Sequence, residues 1–124
     1  MKQHRLDFLT LKEYEEGIIE VIVDEGEDIN GKKLLQFIEF INELPGKPTA
    51  LLINRINNYS LGLGIFPAIH KNKTIKIIAV VNHGKRNQLI IAKLWPRFLN
   101  IVFFNDRDSA LEWLNNRLAF SALK

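Results

Sequence analysis

The stretch Ile75-Lys76-Ile77-Ile78-Ala79-Val80-Val81, closed by Asn82-His83-Gly84, decides how the chain must fold. Its last five residues are the longest uninterrupted aliphatic run in the sequence. A run this short, rich in β-branched residues and bounded by turn formers, reads as a strand covered on both faces. Upstream, Ala50-Leu51-Leu52-Ile53 reads the same way, between Pro48 and the polar pair Asn54-Arg55. Downstream, Ile101-Val102-Phe103-Phe104 supplies another short buried strand. Such strands need helices over the sheet, and the intervening segments carry them. Leu34, Phe37, Ile38, Ile41 and Leu44 recur at helical spacing until Pro45-Gly46, which predicts a helix over 31–44. Residues 86–95 read as helical up to Pro96, and 56–72 as helical despite Gly62, Gly64 and Pro67. Asn105 or Asp106 can cap a last helix carrying Ala110, Leu111, Leu114 and Leu118.

Working outward to the N-terminus, residues 5–14 alternate partially, and Glu15-Glu16-Gly17 turns the chain into Ile18-Ile19-Glu20-Val21-Ile22-Val23. The expected order is β-β-α-β-α-β-α-β-α. Strands joined by helices through short connections imply right-handed crossovers and a mostly parallel sheet, with an antiparallel N-terminal edge strand at Arg5–Tyr14. A strand exposed at that edge would allow a homodimer by edge pairing. Sheets of this class place their recognition loops at the carboxyl ends of the strands, here Asp24–Gly31, Asn54–Ser60, Asn82–Arg86 and Asn105–Asp108. With 124 residues, one domain over 1–124 is expected, and it needs no disulfide or structural metal to build a core.

Composition removes whole classes of function. There is no cysteine, hence no disulfide scaffold, thiolate metal site or cysteine nucleophile, and a cytoplasmic setting is expected. Residues 1–16 hold seven charged side chains, so no signal peptide is read there. No apolar run approaches the roughly 20 residues of a transmembrane helix. Residues 1–30 carry nine acids and three bases, net −6, whereas the rest carries net +9. From Lys71 to Arg97 there are seven bases and no acid, a distribution that attracts anions or an acidic surface but also suits a solvated face. The overall charge of +3, without interleaved aromatic and basic residues, does not mark a nucleic-acid binder. Phe98, Phe103 and Phe104 read as core and not as a stacking platform.

Familiar motifs fail on spacing. His4, His70 and His83 fall in different elements, so no metal site is expected, and Asp24-Glu25-Gly26-Glu27-Asp28 lacks the later ligands of a calcium loop. Gly62-Leu63-Gly64 meets Pro67 where a dinucleotide fingerprint needs glycine, and no cofactor is expected. Ser60 is not in a Gly-x-Ser-x-Gly elbow, and a hydrolase built from Ser60, His83 and Asn54 is a remote alternative to the expectation that the protein is not an enzyme. One constellation survives: Asn54-Arg55-Ile56-Asn57-Asn58-Tyr59-Ser60, dense in side-chain donors directly after a buried strand. Its asparagines suit turn formation, and Ser60 suits either a helix N-cap or a phosphorylated or anion-binding position with Arg55 nearby.

The element order, with Ser60-Leu61-Gly62-Leu63-Gly64 after a buried strand, resembles the STAS domain family, whose anti-sigma factor antagonists carry Asp-Ser-Ser-Gly-Leu-Gly there. The segments Phe103-Phe104-Asn105-Asp106-Arg107-Asp108-Ser109-Ala110-Leu111-Glu112-Trp113-Leu114 and Leu51-Leu52-Ile53-Asn54-Arg55 with Tyr59-Ser60 are closer to bacterial STAS/SEC14-type proteins of SpoIIAA-like fold. The likeness in layout spans nearly the whole chain. It implies a bacterial regulatory module that binds a protein partner through Asn54, Arg55, Asn57, Asn58, Tyr59, Ser60 and Gly62 on one loop and His83, Lys85 and Arg86 on the next. It also places the phosphoacceptor on Ser60, although Tyr59 and Leu61 replace the aspartate and second serine of the antagonists. The alternative it suggests is a lipid or other amphipathic ligand held by Leu61, Leu63, Ile65, Phe66, Trp95 and Phe98, with the bases of 71–97 on its head group.

Overall fold

The aliphatic segments 18–23, 50–54 and 77–81 lie inside one sheet, whereas 101–104, read as a buried strand, is half-buried and ends the sheet among the described residues. The computed structural model describes residues 2–14, 17–45, 48–61, 68–69, 71, 74–83 and 100–122. Its elements are β1 (Lys2–Leu6), β2 (Leu9–Glu13), β3 (Ile18–Val23), β4 (Asp28–Ile29), α1 (Gly31–Glu43), β5 (Ala50–Asn54), β6 (Ser60–Leu61), β7 (Ile77–Val81), β8 (Asn100–Phe104) and α2 (Arg107–Ala122). Six strands lie in the order β1-β2-β3-β5-β7-β8. The pairs β1/β2 and β2/β3 are antiparallel, and β3/β5, β5/β7 and β7/β8 are parallel. Every residue of β5 and β7 is buried, as expected of strands covered on both faces.

Side chains alternate across this sheet and build two cores. One gathers Leu9, Leu11, Ile19, Val21, Leu51, Ile53, Ile78 and Val80 under Phe37 and Ile41 of α1, with Ile69 in the same cluster. The other gathers Ile18, Ala50, Leu52, Ala79 and Val81 under Ala110 and Leu114 of α2. Right-handed crossovers that step in one direction put their helices on one face. The helix after the last strand is then left to cover the opposite face. Burial of Phe37 and Ile41 is worth about 3–6 kcal/mol together. Asp106 starts α2 by accepting from the Ser109 backbone N–H at 2.8 Å, so the second of the two expected caps is the one used.

Three expectations are corrected. Residues 5–14 are not one strand: Asp7-Phe8 forms a two-residue turn, Leu6 pairs with Leu9, and the edge strand is Lys2–Leu6. Partial alternation hid the turn because Phe8 is apolar and buried. Helix does not begin at 56: residues 56–59 carry no regular structure and Ser60–Leu61 pairs in parallel with Asp28–Ile29, so Ser60 is a strand residue instead of a helix cap. Ala68, Ile69 and Lys71 are helical, while the expected helix over 86–95 lies outside the described residues. Gly17 turns β2 into β3 with φ +82, a backbone conformation that explains glycine there.

Candidate functional site at the carboxyl edge of the sheet

The loop after β5 and the connection after β3 meet at the carboxyl edge and are sewn together. Asn57 Nδ2 donates to the Val23 carbonyl at 2.9 Å, and the Asn58 N–H to Glu25 Oε2 at 2.6 Å. The Gly26 N–H donates to the Asn58 carbonyl at 2.7 Å, and the Ser60 N–H to the Glu27 carbonyl at 3.0 Å. Ser60 Oγ then donates to Asp28 Oδ1 at 2.7 Å. The acids of this connection are engaged one by one, since Arg5 pairs with Asp24, and Lys33 Nζ lies 2.6 Å from Glu27 Oε1. Asparagines chosen for their local bonding therefore fix the shape of the loop.

Burial divides the residues read from the sequence. Asn58 and Ser60 are exposed, and Asn57 is half-buried. Asn54, Arg55 and Tyr59 are buried, with the Arg55 guanidinium carbon 5.3 Å from the centre of the Tyr59 ring. That burial pushes the Tyr59 hydroxyl up to about 12, against the opposing influence of Arg55. Ile56, between these buried neighbours, is 56% exposed. His83 is exposed, and Gly62, Lys85 and Arg86 lie outside the described residues.

Asn54 belongs to a second system on the α2 face. Its Nδ2 donates to Glu20 Oε2 at 2.8 Å, which leaves Oδ1 to accept from His83 at 2.6 Å. The shared proton consequently sits on His83 Nε2. Glu20 is 1% exposed, in the middle of β3. Tyr14 Oη donates to its Oε1 at 2.7 Å. Arg107 Nε donates to both carboxylate oxygens at 3.1 and 3.0 Å, and Nη2 to Oε1 at 2.9 Å. Arg107 Nη2 also donates to Tyr14 Oη. Burial alone would push the Glu20 carboxyl up, but the bonds from Arg107, Tyr14 and Asn54 together outweigh it and hold the group below the ordinary carboxylate value. Glu20 holds Arg107, in turn, above the ordinary guanidinium value.

The arrangement orders the edge more than it activates anything. A carboxylate that already accepts from three side chains is a weak proton acceptor. His83 and Asn54 do meet, but the structure bonds Ser60 to Asp28, so the three residues considered for a hydrolase are not assembled. Among the described residues, no group of three His, Asp or Glu side chains could hold a metal ion. Nor, among them, is any helix long and apolar enough to cross a membrane.

Glu20, Arg107 and Tyr14 were not singled out from the sequence. The signal existed: Glu20 is the one charged residue in Ile18–Val23, and alternation places it on the face of Ile18. An acid inside a strand covered on both faces demands a cation. No family model, no curated protein and no solved structure matches the chain.

Proposed function

We propose that the chain is a non-enzymatic regulatory module of STAS-like layout that docks a protein partner through the strand-end loops around 54–60 and 82–86. The observation that carries this reading is the presentation of Ile56, an exposed aliphatic side chain on a loop whose neighbours are bonded to 23–28 or buried. A pre-shaped loop with an apolar tip and a polar rim loses little entropy on docking. The fully engaged Glu20 carboxylate favours a structural role over acid–base chemistry. The parallel order β3-β5-β7-β8, each strand beside the one that precedes it in that sheet, supports the STAS-like layout.

Ser60 is the control point in this reading. A phosphate there would face Asp28 Oδ1, now 2.7 Å from the hydroxyl, and repulsion would part β4 from β6. The test is affinity purification from the native host with wild type, Ile56→Glu and, on the far face, Glu112→Lys. A partner kept by Glu112→Lys and lost by Ile56→Glu supports the reading. Equal recovery by the wild type and both variants removes this surface from consideration.

A second reading, an amphipathic ligand, is favoured by a groove of about 310 Å³ between α1 and the residues Ala68 and Lys71. Leu34, Leu35, Ile38 and Ala68 line it together with Lys71. The six apolar residues read from the sequence as lining such a site offer no described side chain. A ligand mass seen in native but not denaturing spectra would favour this reading, and a clean native mass would count against it.

A further inference from the structure

Among the described residues the outer edge of β1 is open. Among the described residues β1 pairs with β2 alone, so one row of its backbone donors and acceptors has no strand beside it. Next to that edge a groove of about 330 Å³ runs between the β1–β2 turn and α1, with Leu6 and Phe40 on its walls. Its charge is one-sided. Glu39 and Glu43 line it, exposed and without a hydrogen bond or ion pair among the described residues. The one base of the lining, Arg5, is already bonded to Asp24.

Glu39 and Glu43 are one helical turn apart, where like charges repel. Along a helix that separation is ~6 Å, from a rise of 1.5 Å per residue. Alternate residues of a strand are ~6.7 Å apart and point to the same face. We propose that this groove docks a cationic extended peptide, added as a strand to β1, whose alternate Lys or Arg side chains meet Glu39 and Glu43 while its backbone completes the open edge. Strand addition supplies affinity through main-chain bonds, and the side-chain sites supply selection. The groove shares no residue with the strand-end loops, so this proposal stands or fails separately from the proposed function.

The test is titration of the isotopically labelled full chain with a seven-residue peptide alternating lysine and valine. Resonance shifts confined to residues 2–8 and 36–43, with affinity falling as salt is raised, are expected. Charge reversal by Glu39→Lys with Glu43→Lys should weaken binding at least tenfold while leaving the circular dichroism spectrum unchanged. A peptide of the same composition with its lysines clustered should bind more weakly. Unchanged affinity in the double variant, shifts elsewhere, or equal binding of the clustered peptide would overturn the proposal. So would a peptide-free dimer protected along β1, which would make a second copy the occupant of the edge.

Discussion

Replacing Glu20 by Gln keeps the shape of the side chain and removes its charge, which isolates what the carboxylate does for the fold. Glu20 is 1% exposed and accepts from Arg107, Tyr14 and Asn54. Breaking a fully buried ion pair by losing one partner costs about 3–5 kcal/mol. The Arg107 side chain is 33% exposed, so water recovers part of that loss, and about 2–3 kcal/mol is expected near pH 7. The folded state holds the Glu20 carboxyl below its ordinary value, whereas in the unfolded chain it titrates at about 4.3. Its contribution is therefore complete above the unfolded value and disappears as pH falls through the lower folded one. Urea unfolding followed by the fluorescence of Trp113, whose ring centre lies 5.7 Å from that of Phe104, gives the two stabilities at each pH. The gap between wild type and Glu20→Gln should be widest at neutral pH and close at strongly acidic pH. A gap below about 0.5 kcal/mol at pH 7, the range of an ordinary surface change, would refute the reasoning. A gap that stays constant with pH would refute it as well.

Other perturbations test separate parts of the structure. Ser60→Asp sets a carboxylate against Asp28 and should cost about 1 kcal/mol, with faster hydrogen exchange at the Ser60 amide, which now donates to the Glu27 carbonyl. Unchanged exchange there would mean that β4 and β6 tolerate the charge. Spectrophotometric titration should show both tyrosines ionising above free tyrosine, Tyr59 at about 12, and stability should fall as pH rises from about 10 towards that value. A normal titration of Tyr59 would contradict its burial. Leu114→Ala empties a fully buried site under the α2 face and should cost about 2–5 kcal/mol by chemical denaturation, whereas a loss below 1 would place α2 elsewhere.

The interior of the fold was legible in the sequence because covered strands have to be continuous and apolar. Ala50–Asn54 and Ile77–Val81 announce themselves in this way, and α1 by the spacing of Phe37 and Ile41, whereas Asn100–Phe104, as apolar as they are, ends the sheet among the described residues with 101–104 only half-buried. The edge was less legible. Nothing in composition marks Asp7-Phe8 as a turn when the second residue packs in the core. Ser60 read as a helix cap or an anion-binding position, and only its partner Asp28, 32 positions away, shows it to be a strand residue. Distance in sequence also hid the Glu20–Arg107 pair, which closes across 87 positions. Local patterns report what one face of an element touches, not which distant charge satisfies a buried one. The loop 54–60 was recognised as special from its donors, yet its chemistry turned inward: it binds the 23–28 connection and leaves the aliphatic Ile56 outside.

The central claim, that this loop is a docking surface for another protein, is tested most directly by a photo-reactive amino acid placed at position 56 in the native host. The account predicts one discrete crosslinked protein from position 56, none from position 112 on α2, and loss of that adduct when Ser60→Asp is added. Absence of an adduct at 56, or the same adducts from both positions, would contradict it.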